Sequence, residues 1–327
     1  MLQKVIWFLK CFKRALSYRS FWNVNDWLKL MLMEYQIPFE QSERQYQLYE
    51  KKYAMYNNYI KEHFAKYRMI DYQGCKPTRN DINNQNIWVC WLQGEDAMPD
   101  IVKVCYRNLI KYRNGHNVIL ITWNNLFDYL DISSTIIDKV GKGMSFTAFS
   151  DYVRLNLLSI YGGLWIDATF YVTAPIDNTI FQTRFFSIKN NIRKNDVVCR
   201  YLWAVNFVYN SGDNEFMRHI RNMFCFFWEM NKKPINYLFV DYCYEYERTV
   251  NNDFDNLLKR MPYTNEHSHQ LRLNFNKPFN TMLLKHWMSD TSLFKLSYKG
   301  LLKENIYTQE GEETLTFYGY VIKQLKQ

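Results

Sequence analysis

The 327-residue chain is poor in the two residues that interrupt regular structure, with 11 glycines and 7 prolines. That scarcity excludes a glycine-rich β-sandwich or propeller, whose short strands need frequent tight turns. Long apolar runs are also missing. No stretch reaches the roughly eighteen consecutive apolar residues of a membrane-spanning helix, and Val5 to Leu9, bracketed by Lys4 and Lys10, is too short for the core of a secretory signal. The seven cysteines (Cys11, Cys75, Cys90, Cys105, Cys199, Cys225 and Cys243) are odd in number and scattered, without a C-x-x-C pair or zinc spacing. A disulfide framework is therefore not expected, and a reduced, cytoplasmic setting fits. No G-x-S-x-G, Walker loop or G-x-G-x-x-G occurs, so nothing supports a serine hydrolase, a P-loop NTPase or a Rossmann dinucleotide enzyme. Glu266-His267-Ser268-His269 has two histidines but no cysteine or H-E-x-x-H context, and reads as a polar loop rather than a zinc ligand set.

What the chain has in quantity is aromatic: 26 Tyr, 23 Phe and 10 Trp, within 48% apolar and 22% charged residues. This is the composition of a folded protein with a large core, not of a disordered one. Lys and Arg outnumber Asp and Glu by 41 to 32, a net charge of +9 that favours anionic partners such as nucleic acid, anionic lipid or nucleotide phosphates without choosing among them. Residues 1–35 hold +4 of that excess, from Lys4, Lys10, Lys13, Arg14, Arg19 and Lys29 against Asp26 and Glu34.

Residues 1–85 predict an N-terminal helical region, divided at Pro38 and closed by a polar, turn-rich linker over 71–86. In the first helix Leu2, Val5, Leu9, Phe12 and Leu16 share one face, a pattern common to a helix lying on a membrane surface and to one packed on the protein's own core with a basic back. Residues 86–327 predict an α/β domain. Ile87-Trp88-Val89-Cys90-Trp91-Leu92 reads as a buried strand, Pro99–Tyr112 as a helix and Asn117–Thr122 as the next strand, the opening of a parallel sheet. A helix over Phe146–Tyr161 stops at Gly162-Gly163, and Leu164–Val172 reads as one strand. Further strands are expected at Arg184–Lys189 and Tyr201–Tyr209, then long aromatic helices over Asp213–Tyr246 broken at Pro234.

The helix over 146–161 is apolar on both sides, with Phe149, Val153, Leu157 and Ile160 opposite Leu155, Leu158 and Tyr161. Asp151 and Arg154 share the second face. Charges there are costly unless paired with each other or with a ligand, and the spacing alone fits a structural ion pair as well. Asp167 ends the apolar strand Leu164-Trp165-Ile166 at a sheet edge, where open α/β folds bind ligands.

The stretch S-D-x-x-R-x-x-L-L-x-x-Y-G-G-x-W-x-D-A-T, from Ser150 to Thr169, resembles the signature of the capsular polysaccharide synthesis proteins. These are similar to glycosyltransferase family 32, which includes the yeast initiating mannosyltransferase, and to the clostridial glucosylating toxins. Residues 87–94, Asn236-Tyr237, Asp241 and Leu296-Ser297-Tyr298-Lys299 extend the likeness over about 85–300. The resemblance implies a GT-A-like, Rossmann-type mixed sheet flanked by helices. It also implies transfer of a sugar, with retention, from a nucleotide-sugar donor to a capsular or other surface glycan, free or lipid-linked. Asp151 and Arg154 match positions that hold the donor sugar's hydroxyls, and Asp167 matches the first acid of the family's Asp-x-Asp. Trp91 and Gln93, at the end of the first strand, are nominated for the base and ribose. Thr169 stands where the second, metal-meeting acid belongs, so a Mn²⁺ or Mg²⁺ ion rests on Asp167 alone, and His269 and Lys299 are the candidates to neutralise phosphate instead. The basic N-terminus is expected to bring the enzyme to the inner face of the cell membrane, and nucleic acid is not an expected partner. The alternative is a non-catalytic, basic, aromatic-rich protein that binds nucleic acid or a membrane surface, which would need aromatics clustered with Lys and Arg on one open face.

Overall fold

A strand without polar side chains on either face needs cover on both. Ile87-Trp88-Val89 is such a run. In the computed structural model, which describes residues 2–36, 43–192, 196–307 and 311–326, all three side chains are fully buried. The expected break at Pro38 lies outside the described residues.

The chain opens with helices α1 (Leu2–Ser17), α2 (Val24–Gln36) and α3 (Glu43–His63), then runs through β1 (Cys75–Pro77), β2 (Ile87–Cys90), α4 (Asp100–Lys111), β3 (Val118–Ile121), β4 (Leu130–Ile132) and α5 (Ser134–Ile137). It continues with α6 (Phe146–Ile160), β5 (Gly163–Ile166), β6 (Phe170–Val172), β7 (Phe185–Ser187), β8 (Phe207–Asn210), α7 (Glu215–Met230), α8 (Phe239–Val250) and α9 (Asn252–Arg260). The last part carries α10 (Gln270–Leu273), α11 (Thr281–Met288), β9 (Leu293–Lys295), β10 (Asn305–Tyr307), β11 (Glu313–Leu315) and α12 (Phe317–Lys323).

The fold is mixed α/β. Five strands form a sheet in the order β3-β2-β5-β8-β7, parallel across β3, β2 and β5 and antiparallel from β5 outward. The parallel strands therefore end along one edge. Helix α6 begins at Ser145, whose hydroxyl accepts from the Ala148 N–H, and packs between β5 and α7. It ends at Gly162 and Gly163, both at positive φ (70° and 98°), as its glycine pair predicts. Trp88 Nε1 donates to the Gly162 carbonyl at 2.8 Å, which ties this turn to β2.

Three expectations change. The stretch 164–172 is two strands, not one. The chain turns at Asp167-Ala168-Thr169, and β6 leaves the central sheet to pair antiparallel with β9. The continuous apolar pattern hid this break, because Phe170, Tyr171 and Val172 stay buried in their new pairing. The expected strand over 201–209 is confined to Phe207–Asn210, because Arg200 and Tyr201 adopt positive φ and the chain turns before it. Residues 71–86 are no open linker: β1 pairs with β4, and Tyr72 and Cys75 are buried.

Of the N-terminal helices α3 packs onto α8, where Tyr56 stacks on Tyr242 with ring centroids 4.2 Å apart, and α2 packs on α3 and α1 on α2. In α1 the buried side is Cys11 and Ala15, while Val5, Leu9, Phe12 and Leu16 face solvent, Leu9 at 58% exposure. Val24, Leu28 and Leu32 of α2 are exposed as well. The sequence pattern left both settings open, and this stripe does not cover the protein's own core.

A Cβ at Gly163 would lie 2.7 Å from the Asn86 carbonyl oxygen and 2.9 Å from Trp88 Nε1, at a φ that strains any L side chain. Gly163→Ala is expected to cost at least about 1–3 kcal/mol, read as a lower urea midpoint. An unchanged midpoint would show that this turn is relaxed.

Candidate functional site

Past the ends of the parallel strands, side chains meet an open cavity of about 430 Å³. Each wall comes from a different element. Strand β2 runs on into Trp91, Leu92 and Gln93, and α6 supplies Ser150 and Arg154. The β5–β6 turn supplies Asp167, Ala168 and Thr169, closed by the Phe170 N–H donating to the Asp167 carbonyl at 3.0 Å. The segment from Lys295 to Lys299 forms the facing wall, with Tyr237 and Arg272 beside it. Tyr298 meets Trp91 edge-on, ring centroids 5.5 Å apart.

Arg154 organises the floor. Only 4% exposed, it lies over the Trp165 ring, 5.0 Å from its centroid. Its Nη2 is 3.0 Å from Asp151 Oδ1 and 3.4 Å from Asp167 Oδ1, while Nε and Nη1 are buried without an acceptor among the described residues. Asp167 Oδ1 also accepts from Trp165 Nε1 at 2.8 Å, and Oδ2 from Lys295 Nζ at 2.6 Å. Lys295 Nζ donates in turn to Thr169 Oγ1 at 2.7 Å.

These contacts set the acidities. Burial pushes the Asp151 carboxyl up to about 7, against the pull of Arg154 and with help from the charges of Asp167 and Asp241. Burial likewise raises Asp241 to about 6, although Trp203 Nε1 donates to it at 2.9 Å. Asp167 goes the other way: burial opposes its charge, but Lys295 and Arg154 outweigh burial and hold the carboxyl below its ordinary value.

Of the residues nominated from sequence, Trp91, Gln93, Arg154, Asp167, Thr169 and Lys299 line the cavity together. Asp151 does not: it is buried behind Arg154 and reaches the cavity only through that guanidinium. His269 also stands off the lining. Its Nδ1 is buried without a partner among the described residues, and burial, Arg272 and Lys295 lower its pKa, which favours the neutral ring. Lys295, Arg272, Tyr237 and Tyr298 were not nominated. Lys295 escaped because antiparallel pairing of β6 with β9 sets it opposite Phe170 and so beside Asp167, a juxtaposition across 128 residues that no local spacing announces.

A divalent ion asks for several hard oxygen ligands. Among the described residues Asp167 is the cavity's single carboxylate, its two oxygens already accept from Trp165, Arg154 and Lys295, and no group of three or more His, Cys, Asp or Glu side chains could hold a metal. The donor set does not fit the ion expected on Asp167. A larger, shallower basin of about 570 Å³ lies at the amino ends of β2 and β3, lined chiefly by amides with His116 as its one titratable side chain. It offers no comparable pairing of carboxylate with cations.

A family model described as capsular polysaccharide synthesis protein matches residues 35–312. No curated protein matches the chain.

Folded Asp151 holds its proton more firmly than the unfolded residue at 3.8, so this group takes up a proton on folding and its contribution to stability falls as pH rises between 3.8 and about 7. Thermal unfolding of wild type and Asp151→Asn at about pH 5 and about pH 8 checks it. Wild type should lose more melting temperature across that interval than the variant. Equal losses would mean that Asp151 folds ionised.

Proposed function

The chain belongs to the capsular polysaccharide synthesis protein family, and we propose that its part in that synthesis is glycosyl transfer from a nucleotide-sugar donor to a growing capsular or other surface glycan, free or lipid-linked. The observation that carries this reading is Asp167, held between Arg154 and Lys295 at the carboxyl edge of the parallel strands, in a cavity that Arg272 and Lys299 also line. Its volume of about 430 Å³ suits a small organic ligand. Breaking a sugar–diphosphate bond builds positive charge at the anomeric carbon and negative charge on the departing phosphate, so the site needs a carboxylate near the first and cations near the second. Asp167 is the carboxylate, with Lys299 and Arg272 placed for the diphosphate. Trp91 and Gln93 take the base and ribose, and Arg154 the donor sugar's hydroxyls, steadied from behind by Asp151.

Retention of configuration and a GT-A-like fold belong to the same reading. The acceptor oxygen bonds to the anomeric carbon on the face the diphosphate leaves, and the acceptor's proton passes to the departing phosphate oxygen. The alternative of a basic, aromatic-rich protein that binds nucleic acid gains nothing from the tryptophans Trp88, Trp165, Trp203 and Trp228, which are fully buried and present no stacking platform.

The exposed apolar stripe of α1, with Lys10 and Lys13 exposed on the same helix, supports attachment to anionic membrane, where a lipid-linked acceptor would be. No helix among the described residues is long and apolar enough to cross a membrane. Each Lys or Arg near such a surface contributes about 1 kcal/mol.

Thermal shift across a panel of nucleotide sugars tests the donor. The right one, at about a hundred times its dissociation constant, should stabilise the protein by about 2.7 kcal/mol. Asp167→Asn should keep the fold and lower transfer by about 10²–10³. A panel without a shift would overturn the reading, and full transfer by Asp167→Asn would remove the carboxylate's part in it. Flotation with phosphatidylglycerol vesicles tests the membrane: wild type should float and release with salt, while Leu9→Glu/Phe12→Glu should stay down. Equal flotation of both, or of neither, removes the attachment.

A further inference from the structure

We propose that Lys295 is a catalytic residue, a cation built into the chain that does at this site what a divalent metal would otherwise be asked to do. The proposal rests on the glycosyltransferase reading above. Lys295 Nζ bridges Asp167 Oδ2 at 2.6 Å and Thr169 Oγ1 at 2.7 Å, the two side chains that flank Ala168. Charge counting favours an ammonium in this seat. Two carboxylates there would carry two negative charges and suit a divalent ion, whereas one carboxylate and one hydroxyl carry a single charge that one ammonium balances. The hydroxyl accepts readily from an N–H but is a poor ligand for Mg²⁺ or Mn²⁺.

The seat is built rather than incidental. The β6–β9 register places Lys295 opposite Phe170, and Nζ sits 5.1 Å from that ring's centroid, which fixes the side chain's stem. The Leu296 N–H donates to the Thr169 carbonyl at 2.9 Å, so the backbone on both sides of the pair is locked. An ammonium has three N–H donors. Two go to Asp167 and Thr169, and the third has no protein acceptor among the described residues, on a side chain that lines the cavity. Arg272 and Lys299 line it too, and neither has an ion-pair partner among the described residues. Four cations line the cavity, Arg154, Arg272, Lys295 and Lys299, against the carboxylate of Asp167, and that excess of three suits the charge of a nucleoside diphosphate without an added metal. As the sugar–phosphate bond breaks, Lys295 donates its third hydrogen bond to the phosphate oxygen that takes the electron pair, while its contact with Asp167 holds the ammonium in place.

Calorimetric titration of the full chain with UDP, GDP and dTDP, in EDTA and in Mn²⁺, tests this without an activity assay. Wild type should bind one of the three with the same affinity in both buffers. Lys295→Met should bind it about ten- to a hundredfold more weakly in EDTA, the loss expected of one charge-assisted hydrogen bond, and Lys295→Arg should recover much of the loss. In the double variant Lys295→Met/Thr169→Asp, which restores two acids and removes the ammonium, binding should become dependent on Mn²⁺. Wild-type binding that requires Mn²⁺, or Lys295→Met binding as well as wild type, would overturn the role of Lys295 and leave the transferase reading standing. The comparison of wild type in the two buffers decides the point even if a variant fails to fold. Failure of all three nucleotides to bind in either buffer would instead remove the transferase reading and this proposal with it.

Discussion

Arg154 is a permanent charge taken almost wholly out of water, and much of the site follows from the need to neutralise it. A guanidinium in that position must be paired, because an uncompensated buried charge costs several kcal/mol. Two carboxylates answer it from opposite directions, Asp151 one turn earlier on the same helix and Asp167 in the β5–β6 turn, and the Trp165 ring covers its face. Lys295 then takes the other oxygen of Asp167. The chain of charges crosses α6, the sheet edge and β9, so elements far apart in sequence are held in one register by one electrostatic requirement. Asp151, the more enclosed of the two carboxylates, bears the cost as a raised pKa, while Asp167 is held below its ordinary value where the cavity opens.

The same arrangement leaves the cavity positive on its far wall and its one carboxylate on the floor. That polarity suits a ligand that separates charge as it reacts, and it does not suit a neutral or cationic one. The amino-terminal helices extend the theme at larger scale. They bury Tyr53, Tyr56 and Ile60 against the rest of the protein and turn Val5, Leu9, Phe12 and Leu16 outward. A charged cavity and an apolar, basic surface on one chain are what the proposed transfer to a lipid-tethered glycan would use.

How much of this the sequence disclosed depended on how local each feature is. Helix α6 was legible, from its apolar faces and its Gly162-Gly163 stop, and so was Asp167 at the end of β5. Both are consequences of neighbouring residues. The departure of β6 was not, since Phe170, Tyr171 and Val172 satisfy the burial pattern of the central sheet equally well while pairing with β9. Lys295 followed β9 into obscurity, although the segment directly after it, Leu296 to Lys299, carried part of the family likeness. Helical spacing put Asp151 and Arg154 on one face but could not give depth, so it did not reveal that only Arg154 lines the cavity. For α1 the periodicity was right and the partner undetermined, because an amphipathic stripe looks the same whether core or solvent lies beyond it.

The central claim is that this cavity cleaves a sugar–diphosphate bond with the protein's own charges. Phosphorus NMR of the full-length protein incubated with UDP-, GDP- and dTDP-linked sugars and a glycan acceptor tests it most directly, in the presence of EDTA. The account predicts that the diphosphate signals of one donor are replaced by those of the free nucleoside diphosphate, and that Asp167→Asn leaves that donor intact. Donors that all survive with the wild-type protein in EDTA, whether or not added Mn²⁺ then restores cleavage, would contradict it.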